Sequence, residues 1–148
     1  VMLPTFARNG NLPPGIHWAP WEELADRFGW SPHRRKLLKG LRRALRLLHE
    51  AGCTVVYVDG SFVTTKEKPE DFDACWDVKG VDPDRLAPIF FDLSNSRARQ
   101  QTRFGGEFFP AQLPEGVTGR TFLAFFQTDR RTGRRKGIVA IRLQELDG

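Results

Sequence analysis

Six apolar residues at helical spacing, a glycine stop and then a β-branched run confine this chain to folds that mix helix and sheet. Leu37, Leu38, Leu41, Ala44, Leu45 and Leu48 share one face of a helix predicted over 32–51. Gly52 stands where such a helix ends, and Thr54-Val55-Val56-Tyr57-Val58 reads as a strand buried on both faces. A shorter helix is expected over 21–28, opened by Pro20 and stopped by Gly29. Further strands are expected at 72–78, 107–109, 121–128 and 136–143, with a helix from Pro83 towards Arg103 that is interrupted near Ser94-Asn95-Ser96. Residues 129–135 read as the loop of a terminal hairpin. The expected class is therefore α/β (α+β): a mixed β-sheet with flanking helices and a C-terminal β-hairpin. Residues 1–20, rich in Pro and Gly, read as an extended arm, and 21–148 as a single domain.

At 148 residues, 40% hydrophobic and 28% charged, the composition suits one soluble domain with a real core. No apolar run reaches bilayer-spanning length. The start of the sequence has neither the basic flank nor the apolar stretch of a signal peptide, so no membrane is expected and cytoplasm is the expected location. Cys53 and Cys75 are the only cysteines; both read as buried thiols rather than a disulfide or a zinc site. His17, His33 and His49 lack metal-ligand spacing. The four Trp and twelve Phe are expected mainly in the core, with the N-terminal Trp residues offering an alternative partner surface.

Chemistry concentrates after the first predicted strand. Gly60 permits close backbone approach to a ligand, and Ser61 offers a hydroxyl and an N–H to phosphate oxygen. Nine residues on comes Asp71-Phe72-Asp73. Alternation along a strand aims Asp71 and Asp73 at one spot and Phe72 into the core. Two such carboxylates suit a hard cation, Mg²⁺ or Mn²⁺.

Gly60-Ser61, the nine-residue spacer and Asp71-Phe72-Asp73-Ala74 together resemble the signature of the polymerase-beta-type nucleotidyltransferase superfamily. Asp59 departs from it, standing where a hydrophobic residue precedes the Gly. The longer stretch from Gly60 through Lys66 to Pro69-Glu70-Asp71 is similar to a family of small uncharacterised nucleotidyltransferase-like bacterial and phage proteins. The resemblance implies a minimal nucleotidyltransferase fold and an NTP substrate. It also implies a third carboxylate on the next core strand, which helps to deprotonate the acceptor. Glu107 is the best-placed candidate, its other reading being an exposed strand-end Glu; Asp77 and Asp129 are weaker alternatives. Catalytic and metal roles thus fall to Asp71, Asp73 and Glu107, and phosphate binding to Gly60 and Ser61. Lys66 and Lys68 in the motif loop, and Arg103 on the following helix with Arg97 and Arg99, would form a positive rim.

The implied activity moves a nucleoside monophosphate to an RNA, protein or small-molecule hydroxyl. The resemblance extends to toxin–antitoxin and phage-defence modules, where a cognate partner protein is expected. A catalytically inactive binding module of the same fold is the alternative. Net charge is +5, and seven cations between Arg34 and Arg46 read first as a solvated helix face. With the 130–136 loop they leave open a third reading, a nucleic-acid-binding protein.

Overall fold

The computed structural model describes residues 3–146; Val1, Met2, Asp147 and Gly148, at the ends of the expected arm and domain, lie outside the described residues. Nine elements matter: β1 (Gly15–Trp18), α1 (Trp21–Phe28), α2 (Pro32–Glu50), β2 (Val55–Asp59), β3 (Phe72–Trp76), α3 (Ser94–Phe104), β4 (Gly106–Pro110), α4 (Phe122–Phe125) and β5 (Gly137–Arg142). The strands form one mixed sheet in the order β1-β5-β2-β3-β4. β1 runs parallel to β5, and β4 parallel to β3; the pairs β5–β2 and β2–β3 are antiparallel. The mixed α+β class expected from the sequence is the class observed.

Local chemistry explains the clearest elements. Ser31 caps α2, its hydroxyl accepting from the Arg34 N–H at 3.1 Å, and Pro32 fits the first turn. Leu37, Leu41, Ala44, Leu45 and Leu48 then pack on the sheet with Leu24 and Phe28 of α1. Gly40 sets how closely α2 approaches the end of α3: a methyl group there would stand 1.8 Å from the Phe104 carbonyl oxygen.

Alternation divides each strand between two unlike faces. Val56, Val58, Phe72, Ala74, Trp76 and Phe108 face the helices and the main core. Tyr57, Cys75 and Phe109 face the other way, under a thin cover from Ala111, Phe122, Leu123 and Phe126. β2 is accordingly not buried on both faces; Val55 and Tyr57 are only half-buried.

Four other expectations need correction. The N-terminal arm contributes β1, whose residues Gly15 to Trp18 pair with β5. Residues 121–128 are not a strand. The Thr121 side chain accepts from the Ala124 N–H at 3.1 Å and starts a helical turn, which leaves only the Thr128–Arg135 bridge of the expected hairpin. From Pro83 onward there are turns and a short 3₁₀ segment, Pro88–Phe91, before α3. Asn95, Ser96 and Arg97 are left-handed at φ 48–62°, a conformation costly for non-glycine residues. Finally, Trp21 and Trp76 are core residues as expected, while Trp18 and Trp30 are exposed.

Candidate functional site

The strand parity that buries Cys75 also sends Asp59, Asp73 and Glu107 to the thinly covered face. Asp59 on β2 is the register partner of Asp73 on β3, and Asp73 is the partner of Glu107 on β4. The three carboxylates therefore stand in a row across three neighbouring strands. Asp71 immediately precedes β3 and shares the parity of Asp73.

The Gly-Ser turn lies against this row. Gly60 has φ 78° and ψ −167°, a region open essentially to glycine, and a Cβ there would sit 2.6 Å from Asp73 Oδ2. Gly60 is thus required both by its own backbone and by the carboxylate that lies over it. Ser61 begins a 3₁₀ turn, and its carbonyl accepts from Thr64 Oγ1 at 2.6 Å.

Arg34 holds the loop beyond Ser61 in place. Fully buried, it donates to the carbonyls of Phe28 (3.2 Å), Phe62 (2.7 Å), Thr64 (2.9 Å) and Lys66 (2.6 Å), with Trp30 stacked 3.7 Å from its guanidinium carbon. Burial lowers its pKa to about 10. Sequence reading placed Arg34 on a solvated face; it is instead the internal cation that ties α1 and α2 to the motif loop.

Crowding sets the electrostatics of the row. Burial, then the Asp71 and Glu107 charges, push the Asp73 carboxyl up to about 7, against the pull of Lys136 and Arg130. Asp59 is fully buried and raised well above the usual carboxylate range, first by burial and then by Asp73. Its Oδ2 accepts weakly from Cys75 Sγ at 3.7 Å, and its Oδ1 has no hydrogen-bond partner among the described residues. The Gln101 side-chain amide on α3 donates to both Asp71 Oδ2 and Glu107 Oε1, each at 2.8 Å.

A cavity of about 370 Å³ opens above the row. Gly60, Ser61, Asp73 and Glu107 form its acidic end, Phe109, Phe125 and Phe126 an aromatic wall, and Arg130 and Lys136 its cations. A neighbouring depression of about 560 Å³ shares Ser61, Arg130 and Lys136 and adds Lys66. Lys66 and Ser61 thus line the same depression. Lys68 is exposed and lines neither cavity. Arg103 packs on the Phe104 ring and lines a separate depression between α2 and α3.

The sequence reading passes over Gln101 and the aromatic wall as functional groups, and gives Lys136 a role only within the 130–136 loop of the nucleic-acid-binding alternative. Lys136 directly precedes β5, the neighbour of β2. Only the sheet order brings it to the end of the strand that delivers Gly60.

Oxygen donors alone, with cations opposite, suit a hard cation such as Mg²⁺ or Mn²⁺ in kind. Among the described residues, no group of three or more His, Cys, Asp or Glu side chains that could hold a metal ion is present. Among those residues also, no helix is long and apolar enough to cross a membrane.

The chain belongs to a family of unknown function, DUF6932, whose profile matches residues 4–142. No curated protein and no solved structure matches the chain.

Proposed function

We propose that this chain is a metal-dependent nucleotidyltransferase acting on an NTP and an acceptor hydroxyl. The observation that supports this reading most is the Gly60–Asp73 contact: the turn and the carboxylate strand meet so closely that a side chain at position 60 is excluded. With Glu107 in register beside Asp73, a turn suited to phosphate and a carboxylate set border one cavity.

Asp71, Asp73 and Glu107, which do not form a ready-made three-ligand group among the described residues, would have to draw together to hold Mg²⁺ or Mn²⁺, and the ion would supply charge neutralisation for phosphoryl transfer. The Ser61 hydroxyl and N–H orient the phosphates. Lys66, Arg130 and Lys136 offset the triphosphate charge, and Phe125 and Phe126 offer a stacking surface for the base. The acceptor oxygen bonds to the α-phosphorus as the bond from that phosphorus to the pyrophosphate oxygen breaks. Pyrophosphate leaves with the electron pair, and the hydroxyl proton passes to Glu107.

Labelled nucleotide incorporation with pyrophosphate release should require Mg²⁺ or Mn²⁺. It should fall at least 100-fold in Asp71→Ala/Asp73→Ala, in line with the loss of an electrostatic catalytic group. Undiminished transfer in that double variant would refute the assigned roles.

One observation favours the second reading, an inactive binding module. Gln101 places a neutral amide between Asp71 and Glu107, satisfying both carboxylates without an ion. Calorimetry with each NTP and Mg²⁺ separates the two: no heat of binding for any NTP selects the binding module.

A further inference from the structure

Lys36, Lys39, Arg43 and Arg46 recur on α2 at i, i+3, i+7 and i+10, so they line one helix face over about 15 Å. All four are exposed. The face is not an isolated charge run on a solvated helix. Two of its residues, Lys36 and Arg43, form one wall of a depression of about 300 Å³ whose floor includes Gly40 and Gly105 and whose opposite wall carries Arg103 and Gln101, while Lys39 and Arg46 line a neighbouring depression. The glycine at position 40, where any side chain would strike the Phe104 backbone, lets α2 come this close to the end of α3. Glu70 is the only carboxylate among the residues lining the depression.

Gln101 belongs to two sites at once. It lines this basic groove, and its amide spans Asp71 and Glu107 of the carboxylate row. The groove therefore ends on the residue that contacts the proposed reaction centre. Lys36, Arg43 and Arg103 are also set apart from Lys66, Arg130 and Lys136, the cations beside Ser61. One basic group serves the triphosphate; the other is left for a second polyanion.

We propose that the groove between α2 and α3 binds a single-stranded nucleic acid through its phosphates, and that this strand is the hydroxyl-bearing acceptor of the proposed transfer. Cations on both walls, Lys36 and Arg43 facing Arg103 with Glu70 the one carboxylate among the lining residues, match a phosphodiester backbone better than a folded protein surface of mixed sign. A strand end, rather than a duplex, is needed to bring a terminal hydroxyl past Gln101. The acceptor assignment rests on the nucleotidyltransferase reading; the binding site does not.

The test is fluorescence anisotropy of a labelled 12-nucleotide RNA, the DNA of the same sequence, and the RNA duplex, titrated with the full chain in EDTA at several salt concentrations. Single strands should bind more tightly than the duplex, and the RNA and DNA arms identify which source of phosphodiester strand is preferred. Lys36→Glu/Arg43→Glu should weaken binding at least tenfold. It should also flatten the slope of log K against log salt by about 1.4, from about 0.7 for each phosphate that the protein no longer neutralises. Lys36→Gln/Arg43→Gln should flatten the slope similarly, which separates the loss of phosphate neutralisation from repulsion or misfolding. Lys79→Glu/Arg85→Glu carries the same charge change on exposed residues outside the groove and should change binding less than twofold.

Absent strand binding, equal losses in the groove and control variants, or preference for the duplex would each overturn the proposal. Strand binding that survives in Asp71→Ala/Asp73→Ala while transfer is lost supports both readings. Groove-dependent strand binding without metal-dependent transfer by the unaltered chain would reject the transferase reading and sustain the groove.

Discussion

Asp73 shows how a single residue reports the state of its site. Its carboxyl, raised from 3.8 to about 7 by burial and by Asp71 and Glu107, holds a proton in the folded chain that the unfolded chain has already lost. The folded state therefore binds more protons between about pH 4 and 7. The contribution is most favourable below pH 4 and is lost as pH rises through 7. The upper bound is about 4 kcal/mol, since each tenfold change in proton affinity is worth about 1.36 kcal/mol. Asp73→Asn keeps the shape and removes the titration. In urea unfolding with EDTA, the variant should gain on the wild type by up to about 3 kcal/mol between pH 5 and pH 8. Taking the difference between the two proteins cancels carboxylates with the opposite sign, such as Asp92, Glu115 and Asp129. Parallel pH profiles for the two proteins would mean that Asp73 does not titrate in this window.

At the scale of elements, the motif loop is held from outside itself, by Arg34 at the start of α2. Four carbonyls from Phe28 to Lys66 converge on its guanidinium, so removing it leaves buried acceptors unsatisfied while α2 retains its cap. Arg34→Met should cost about 3 kcal/mol or more, a fall in Tm of roughly 6–12 °C for a domain of this size. Arg34→Lys should recover only part of this, since one ammonium cannot reach four carbonyls in a planar fork. A Tm change below about 2 °C for Arg34→Met would refute the anchoring role. Arg34 also marks where sequence ceases to be legible. The leucine spacing, Gly52 and the β-branched run specify α2 and β2, because burial periodicity is written locally. An arginine among six other cations gives no local sign that it points inward. The same holds for 121–128: the apolar run reads as a strand, but Thr121 caps a helical turn. Within the site, Asp71 and Asp73 are legible because parity follows from adjacency. Asp59, Lys136 and Gln101 are not, since they reach the cavity only through β2–β3 pairing, the place of β5 beside β2, and the packing of α3 at the rim.

Across the whole molecule, the sheet has two unequal faces, and the candidate site lies on the weaker one. The helices bury the large core on one side. On the other, Cys75, Phe109 and Ala111 are the buried residues of a second, small cluster, covered by a segment whose only helix has four residues. Such thin cover is where sub-global opening is least costly. The two free cysteines sample the two faces. Cys53 belongs to the main core, donating to the carbonyls of Val55 and Asp77 at 3.4 Å, and burial pushes its thiol up to about 11. Burial also raises Cys75, with Asp59 adding to the effect. Both are fully buried, so neither should react with a disulfide reagent at pH 8 until the chain opens. Cys75, measured in Cys53→Ala, should become reactive at low urea with a shallow urea dependence. Cys53, measured in Cys75→Ala, should react only along the global unfolding curve. Coincident curves would show one cooperative unit and a cover as stable as the core. An early Cys75 transition would instead show that the aromatic wall of the cavity, Phe109 and Phe126, belongs to a part of the fold that opens alone. Nucleotide with Mg²⁺ should then suppress that opening selectively, because a ligand bound in the cavity stabilises only the states in which the wall is intact.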